Sequence, residues 1–188
     1  MDDTPLPDIV VQAVSSEPGN TRAGLLGEYY IMKGLMSFPS QYGSAAMRRA
    51  DDRLSFPLAD GSVGGAQMGL GFYARWSGKL RIAATGDYTF HLQANDEARL
   101  SLDGSVVTGT KARLTGSTPL ADTETSGEVS LTTGEHEILV EYYNRIGRQG
   151  LELAWMRCSP KFVRLFPLPD HLHRSTPCRT FSSSKTTN

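Results

Sequence analysis

The strongest constraint on the fold is a two-residue alternation of apolar and polar side chains that recurs in several short segments. In residues 87–94 the apolar side chains fall on one face of an extended chain and the polar ones on the other. Residues 99–103, 128–131, 137–143 and 150–155 repeat this pattern, and no long segment of helical period interrupts the series. Strands with one apolar face bury that face against a second sheet. The sequence therefore predicts an all-β fold, either a sandwich or a barrel.

The ends of the chain lack this alternation. Residues 1–23 are polar and contain proline, which predicts a flexible, unpaired N-terminal arm. Residues 174–188 are rich in serine and threonine, which predicts a disordered tail. One folded domain is predicted between them, over residues 24–173. Within it, residues 39–71 read as irregular, with a short helix as one interpretation of residues 45–53.

Charge and hydropathy exclude two classes of partner. The formal net charge is -1, so the chain has no basic field with which to hold nucleic acid. The sequence contains no run of about 18 apolar residues, so no segment is predicted to insert into a membrane. Residues 1–7 lack the apolar segment of a signal peptide, so we expect either that the protein stays inside the cell or that the chain is a piece of a larger protein.

The two cysteines, Cys158 and Cys178, leave two interpretations open. They form one disulfide in an oxidising compartment, or they are separate thiols near the tail. They cannot supply the four ligands of a structural zinc site, and His171 and His173 would hold a metal only with further ligands.

Seven short motifs occur in an order that resembles the protective-antigen (PA-fourteen) domain family. They are GLLGEYY (24–30), FYARWSG (72–78), GDYTF (86–90), NDEARL with LDG (95–104), LTTGEH (131–136), EYY (141–143) and LELAW (151–155). The segment 166–172 (FPLPDHL) is similar to the closing stretch of the family. The resemblance implies an antiparallel, jelly-roll-like β-sandwich and a non-catalytic lectin or adhesin module. Its partners would be glycans or cell-surface carbohydrate, and its location extracellular or at the cell surface.

Two other functions remain open under the same resemblance. The domain is a structural spacer or protein-interaction sandwich, or it is an accessory domain of a larger glycoside hydrolase. The chain itself is predicted not to be an enzyme. Glu137, Glu141 and Glu152 lie on predicted strands and are interpreted as sharing a solvent face, whereas glycosidases need two carboxylates at a set separation in a cleft.

In the lectin branch of the family, two consecutive aspartates joined by a cis peptide bind calcium, and sugar hydroxyls complete the coordination. The matching pair here is Asn95 and Asp96, followed by Glu97. Asn95 still offers a carbonyl oxygen, but the site has lost one negative charge, so calcium should bind more weakly. The alternative is a plain polar turn, since Asn and Asp favour turns for local hydrogen bonding.

Sugar contacts are predicted for Asp96, Glu97, Asn144 and Tyr143. Asn144 would belong to a second ligand loop at residues 144–149 with Gln149 behind it, unless this segment is only a polar strand connection. Tyr143 is expected to be exposed on the face opposite Tyr142. The two tryptophans, Trp76 and Trp155, are predicted to be core residues rather than sugar platforms. The specificity of the site would come from loops at residues 39–71 and 108–126.

Overall fold

The computed structural model of this protein describes residues 9–12, 24–32, 37–60, 62–63, 66–67, 71–110, 124–145 and 147–158. Every regular element in these residues is a β-strand. The strands are β1 (Ile9–Gln12), β2 (Leu25–Ile31), β3 (Met47–Asp51), β4 (Ser55–Asp60), β5 (Ser62–Val63), β6 (Ala66–Gln67), β7 (Phe72–Ile82), β8 (Gly86–Asn95), β9 (Glu97–Leu102), β10 (Ser105–Gly109), β11 (Thr125–Leu131), β12 (Gly134–Asn144) and β13 (Arg148–Cys158). Within this part of the chain, no helix is present that could cross a membrane.

The strands form two antiparallel sheets that pack face to face. The larger sheet has the order β10-β9-β12-β7-β2-β3, with β1 also paired to β7, and the smaller has the order β11-β8-β13-β4. Strands β5 and β6 pair only with each other. Both sheets have open edges, so the fold is a sandwich and not a barrel. The predicted antiparallel β-sandwich is confirmed.

Strand β7 lies at the centre of the larger sheet and has partners along both edges. Strand β12 pairs with its whole length. On the other edge, β2 pairs with residues 72–77 and β1 with residues 79–82. Residues 9–12 therefore complete the edge that β2 leaves open and are not part of an unpaired arm. The rest of the predicted arm, and the whole predicted tail, lie outside the described residues.

The helix interpretation of residues 45–53 is wrong. Residues 47–51 form β3, which pairs with β2 in antiparallel register from Leu25↔Asp51 to Tyr29↔Met47. Exposure alternates along β3, and Asp51 at its end is buried. Pairing with β2 and burial of Asp51 therefore override the helical propensity of Met, Arg and Ala.

The core lies between the two sheets and follows the predicted alternation. Tyr88, Phe90, Leu92 and Ala94 of β8 are all fully buried, as the sequence predicted. Trp76 of β7 is also fully buried. Other buried members of the same cluster include Tyr29, Phe72, Leu100, Val140, Tyr142 and Leu151.

Trp155 is less buried than the sequence predicted. Its ring lies 6.5 Å from that of Phe90, and the side chain packs against the core from the side while remaining partly exposed. Together with Leu25, Leu54 and Leu153 it lines a small crevice between the sheets. Trp155 is therefore a boundary residue of the core rather than a central one.

Candidate functional site

The chain passes from one sheet to the other at Asn95 and Asp96. Asn95 ends β8 in the smaller sheet, where it is paired with Gly150 of β13. Glu97 begins β9 in the larger sheet, where it is paired with Tyr143 of β12. The peptide bond between Asn95 and Asp96 is cis, the form that the family resemblance implied for this pair. The pair thus lies at one end of the sandwich, which we call the tip, where the sheets meet.

A buried tyrosine of the core is hydrogen-bonded to the backbone of β8 and of β13 at this crossing. The hydroxyl of Tyr142 donates a hydrogen bond to the backbone oxygen of Asn95 and accepts one from the backbone N of Gly150 at 3.3 Å. Burial raises the pKa of Tyr142, and its ring packs edge-on against Phe72 with centroids 5.4 Å apart. The position of the crossing is therefore fixed by a buried side chain, in addition to the two strands that it joins.

Asp96 is buried and faces Arg145. The backbone N of Arg145 donates to Oδ2 of Asp96 at 2.8 Å, and the Nη2 atom of Arg145 lies 3.8 Å from Oδ1. The side chains of Asp96 and Arg145 are only 6% and 15% exposed. Arg145 was not among the predicted site residues, although a cation directly after Asn144 was a signal in the sequence that could have found it.

Asn144 is fully buried at the end of β12 and has an unused oxygen. Its Nδ2 atom donates to the backbone oxygen of Arg148 at 3.1 Å. Its Oδ1 atom is buried and has no hydrogen-bond partner within the described residues. Buried polar atoms nearly always have a partner, so such an oxygen points to a bound ion or water. Asn144 directly precedes Arg145 in the chain. The hydrogen bond from the backbone N of Arg145 to Asp96 therefore holds this end of β12 close to Asp96.

The prediction that Tyr143 is exposed is wrong, because the tyrosine is only 1% exposed. Phe38, in the segment 37–46 that we call the cover loop, packs edge-on against its ring with centroids 5.0 Å apart. The hydroxyl of Tyr143 donates a hydrogen bond to Oε2 of Glu97 at 2.8 Å. Burial together with this hydrogen bond raises the pKa of Tyr143 to about 12. Tyr143 therefore orients Glu97 and does not present its ring to a sugar.

The cover loop also buries a polar cluster on the outer face of the larger sheet. Glu141, which was expected to face solvent, is 7% exposed. It accepts hydrogen bonds from the Tyr73 hydroxyl at 2.7 Å and from Nε of Arg99 at 2.5 Å. Burial acts to raise the pKa of Glu141, but these two donors hold it below its ordinary value. Glu141 is thus a fully engaged structural carboxylate.

The three strand glutamates do not share a face, and that prediction is corrected. Glu137 and Glu141 belong to β12 in the larger sheet, whereas Glu152 belongs to β13 in the smaller one, opposite Gln93. The side chain of Glu137 is exposed and that of Glu152 is partly buried. These positions do not assemble a carboxylate pair in one cleft, which glycosidase chemistry would need.

The tip offers oxygen ligands of the kind that calcium prefers. The candidate donors are the amide oxygen of Asn95, the carboxylate of Asp96 and the free Oδ1 of Asn144, and calcium binds six to eight such oxygens. These donors are all oxygens, as calcium prefers. Only one of them is a carboxylate, however, and Arg145 already lies opposite it. Among the described residues no group of three or more His, Cys, Asp or Glu side chains is placed to hold a metal ion. His171 and His173 lie outside that part of the chain.

Cys158, at the end of β13, is disulfide-bonded, and no cysteine in the described residues is free. The other cysteine of the chain, Cys178, lies outside those residues. Of the two interpretations that the sequence left open, the structure therefore shows the disulfide for Cys158.

The fold defines a β-sandwich module whose two sheets meet at the tip. The family model of the PA14 domain matches residues 32–162, which is more than half of the chain. The chain therefore belongs to the PA14 domain family, the protective-antigen family that its motifs resemble. No curated protein matches the sequence.

Several solved structures share this fold. An α-xylosidase of glycoside hydrolase family 31 from Xanthomonas citri aligns with 81% of the chain at 15% identity and a TM-score of 0.59. The PA14 sugar-binding domain of an RTX adhesin aligns with 71% of the chain and 89% of its own length, at 18% identity and a TM-score of 0.55. The epithelial adhesin 9 A domain from Candida glabrata, solved with Galβ1-3GlcNAc, aligns with 78% of the chain and 87% of its own length, at 15% identity and a TM-score of 0.55.

The chain spans a small part of some of these proteins. It covers 15% of the xylosidase and 42% and 44% of two anti-sigma factor domain-containing proteins, one of them from Clostridium clariflavum. The same fold thus occurs both as a nearly complete adhesin domain and as one part of a much longer chain.

Proposed function

We propose that this chain is a non-catalytic carbohydrate-binding module that holds glycans at the tip of the sandwich. The observation that carries this proposal is the buried Oδ1 of Asn144, which has no hydrogen-bond partner within the described residues and lies one residue before the backbone N that binds the Asp96 carboxylate. Two similar structures support it, because one is described as a sugar-binding domain and the other was solved with a disaccharide. Polar groups that converge at the mouth of a rigid β-scaffold are the usual basis of such sites.

Within this proposal, calcium is held weakly at the tip by Asn95, Asp96 and Asn144. Bound calcium would take sugar hydroxyl oxygens as further ligands. The chain's own contribution is to fix the oxygens: Tyr142 positions the backbone of Asn95, and the backbone N of Arg145 orients the Asp96 carboxylate. Because this pair has one carboxylate and not two, we expect its affinity for calcium to be lower than that of a lectin with two aspartates.

The sugar would also contact side chains around the cation. Glu97 is partly exposed and is oriented by Tyr143, so its carboxylate is suited to accept hydrogen bonds from sugar hydroxyls. Asp96 and Asn144 border the same site. Tyr143 does not present its ring to the sugar, since the cover loop buries it. Specificity is proposed to come from residues 39–71 and 108–126.

The module is proposed to act outside the cell or at its surface, in adhesion to cell-surface carbohydrate and within a larger chain. An accessory role in a glycoside hydrolase is the second candidate. The fold similarity to a small part of the xylosidase favours it. In both cases the module binds glycan and leaves any catalysis to other domains.

A glycan array in millimolar calcium and in chelator tests the proposal. The wild type should retain a defined set of glycans in calcium and lose them in chelator. Asp96→Ala should abolish retention, because it removes the one carboxylate, whereas Asn95→Asp should strengthen calcium binding measured by calorimetry. The matched control is Asp87→Ala, an exposed aspartate at the far end of β8. If neither the wild type nor Asn95→Asp retains any glycan or binds calcium, the domain is a spacer or protein-interaction sandwich.

A further inference from the structure

Both carboxylate oxygens of Asp96 face the same residue, Arg145. The backbone N of Arg145 contacts Oδ2 at 2.8 Å, and the guanidinium Nη2 lies 3.8 Å from Oδ1. With Asp96 only 6% exposed, its charge has little access to water. A buried carboxylate without an opposite charge would be costly, so Arg145 supplies the cation that this position requires.

The charge of the three candidate ligands is therefore balanced before any metal arrives. Among Asn95, Asp96 and Asn144 only Asp96 carries a charge, and the positive charge of Arg145 offsets it. Glu97, the next carboxylate along the chain, is hydrogen-bonded by the Tyr143 hydroxyl at 2.8 Å. The number of ligand charges sets the calcium affinity of a protein site, and a neutral site ranks low on that scale.

The guanidinium is nevertheless held loosely. The 3.8 Å between Nη2 of Arg145 and Oδ1 of Asp96 exceeds hydrogen-bond length. The Nε atom of Arg145 is buried and makes no hydrogen bond within the described residues. The ion pair thus has Coulomb attraction without the bidentate geometry that makes arginine–carboxylate pairs strong. A divalent cation at Oδ1 of Asp96 would compete with this one weak contact of the guanidinium, while the backbone N of Arg145 keeps its hydrogen bond to Oδ2.

We infer that Arg145 is an internal cation that competes with calcium for Asp96, so that calcium binds only when the guanidinium leaves the carboxylate. This inference rests on the calcium site of the proposed function. Arg145 keeps the site geometry in the absence of metal, because it neutralises the buried carboxylate of Asp96. Together with the missing charge at Asn95, Arg145 then controls the calcium affinity.

Calcium titrations by calorimetry on three variants test this inference. Arg145→Gln should bind calcium about tenfold more tightly than the wild type, because the site regains one uncompensated negative charge. Arg148→Gln is the matched control: it removes the same charge from an exposed neighbour and should change the affinity little. Arg145→Lys keeps the charge and should stay close to the wild type.

Melting curves give a second readout, which in chelator does not involve calcium at all. In chelator, Arg145→Gln should melt below the wild type, since Asp96 is left buried and unpaired. Calcium should restore its Tm and should shift the wild type less. In the wild type, the Nε–H resonance of Arg145 should move during a calcium titration as the guanidinium is released, which tests the inference even if Arg145→Gln does not fold.

Equal calcium affinities for Arg145→Gln and Arg148→Gln, or an Arg145 resonance that does not respond to bound calcium, would overturn the inference. Glycan retention separates this failure from that of the proposed function. A wild type that retains glycans while Arg145→Gln gains no calcium affinity refutes only the role of Arg145. A tightened calcium site that retains no glycan refutes only the carbohydrate function.

Discussion

Asp51 is a buried carboxylate at the end of β3, and three side chains that carry N–H or O–H groups contact it. The hydroxyl of Tyr29 donates to its Oδ2 at 2.6 Å, and the indole Nε1 of Trp76 donates to the same atom at 2.8 Å. Arg49 lies 2.7 Å from Oδ1. Burial, followed by the hydrogen bond to Asp51, raises the pKa of Tyr29. The charge of Asp51 is tolerated inside because Oδ2 accepts two hydrogen bonds and Oδ1 is paired with the Arg49 guanidinium.

Gly27 is required by this network, since a methyl group there would meet it. A Cβ at Gly27 would lie 2.6 Å from Oδ2 of Asp51 and 2.8 Å from Nε1 of Trp76. We predict that Gly27→Ala lowers the free energy of unfolding by about 1–3 kcal/mol, the usual cost of overpacking. Denaturant unfolding measures this loss. The control is Gly43→Ala, where a Cβ would meet nothing within 4 Å. Equal stabilities of the two variants would contradict the prediction.

At the candidate site, the sequence predicted some of the residues and missed others. The sequence indicated Asn95, Asp96 and Asn144, and the structure brings their segments together at the tip. It did not indicate that Arg145 faces Asp96 or that Tyr143 is buried. Both depend on contacts between distant segments, since Asp96 and Arg145 are 49 positions apart and Tyr143 is covered by Phe38. A local pattern carries no information about such contacts.

At the scale of elements, the β9–β10 hairpin is fastened to β12 by one aspartate. Asp103 has φ 47 and Gly104 has φ 78, the left-handed pair that the Asp-Gly signal predicts for a tight hairpin turn. The Oδ1 atom of Asp103 accepts a hydrogen bond from the backbone N of Glu137 at 2.8 Å, and Oδ2 lies 2.7 Å from Nδ1 of His136. The other ring nitrogen of His136 lies 2.9 Å from the backbone oxygen of Thr132. Because both partners of the ring are acceptors, His136 is best satisfied when both nitrogens carry protons.

This arrangement predicts a pH dependence of stability. The hydrogen bond that the His136 ring donates to Asp103 raises the pKa of His136 and lowers the pKa of Asp103. The stabilisation from His136 is complete below its ordinary pKa of about 6.5 and is lost as the pH rises through the raised value. The stabilisation from Asp103 is present above about pH 4 and is lost as the pH falls through the lowered value. The pair should therefore contribute most between about pH 4 and pH 6.5.

Melting curves of the wild type and His136→Gln test this dependence. The difference in Tm should be larger at about pH 5.5 than at about pH 8.5, although Asp103 is 54% exposed and solvent screening keeps the effect small. His91→Gln is the control, because that histidine lies on the other sheet beside Glu124. A Tm difference for His136→Gln that does not change with pH would show that the ring acts only through its shape.

The elements with the strongest alternation were also those that the sequence could predict. Strands β8, β12 and β13 contain residues 87–94, 137–143 and 150–155, whose side-chain faces were assigned in advance. Strand β3 could not be predicted, because its residues MRRAD alternate weakly and favour a helix by propensity alone. Its strand form comes from pairing with β2, which is a property of the assembled sheet.

At the scale of the whole molecule, the two sheets share one core but contribute to it unequally. The larger sheet places Trp76 at its centre, where the indole is fully buried between Tyr29 and Phe56. The smaller sheet places Trp155 at the edge of the core, where it is partly exposed. Alternation predicted the inward face for Trp155 but not its depth, because depth depends on which parts of the opposite sheet cover each position.

Replacing each tryptophan by alanine measures this inequality. Trp76→Ala should cost about 3–5 kcal/mol, because it empties a fully enclosed site and removes the Nε1–H donor from the buried Asp51 carboxylate. Trp155→Ala should cost less, about 1–3 kcal/mol, since its site is open on one side and water can enter the space. Urea unfolding of both variants, followed by circular dichroism, gives the two free energies on one scale. If Trp155→Ala proved as costly as Trp76→Ala, the crevice beside Leu25 and Leu153 would have to be closed in solution, and the core would extend to that edge of the sandwich.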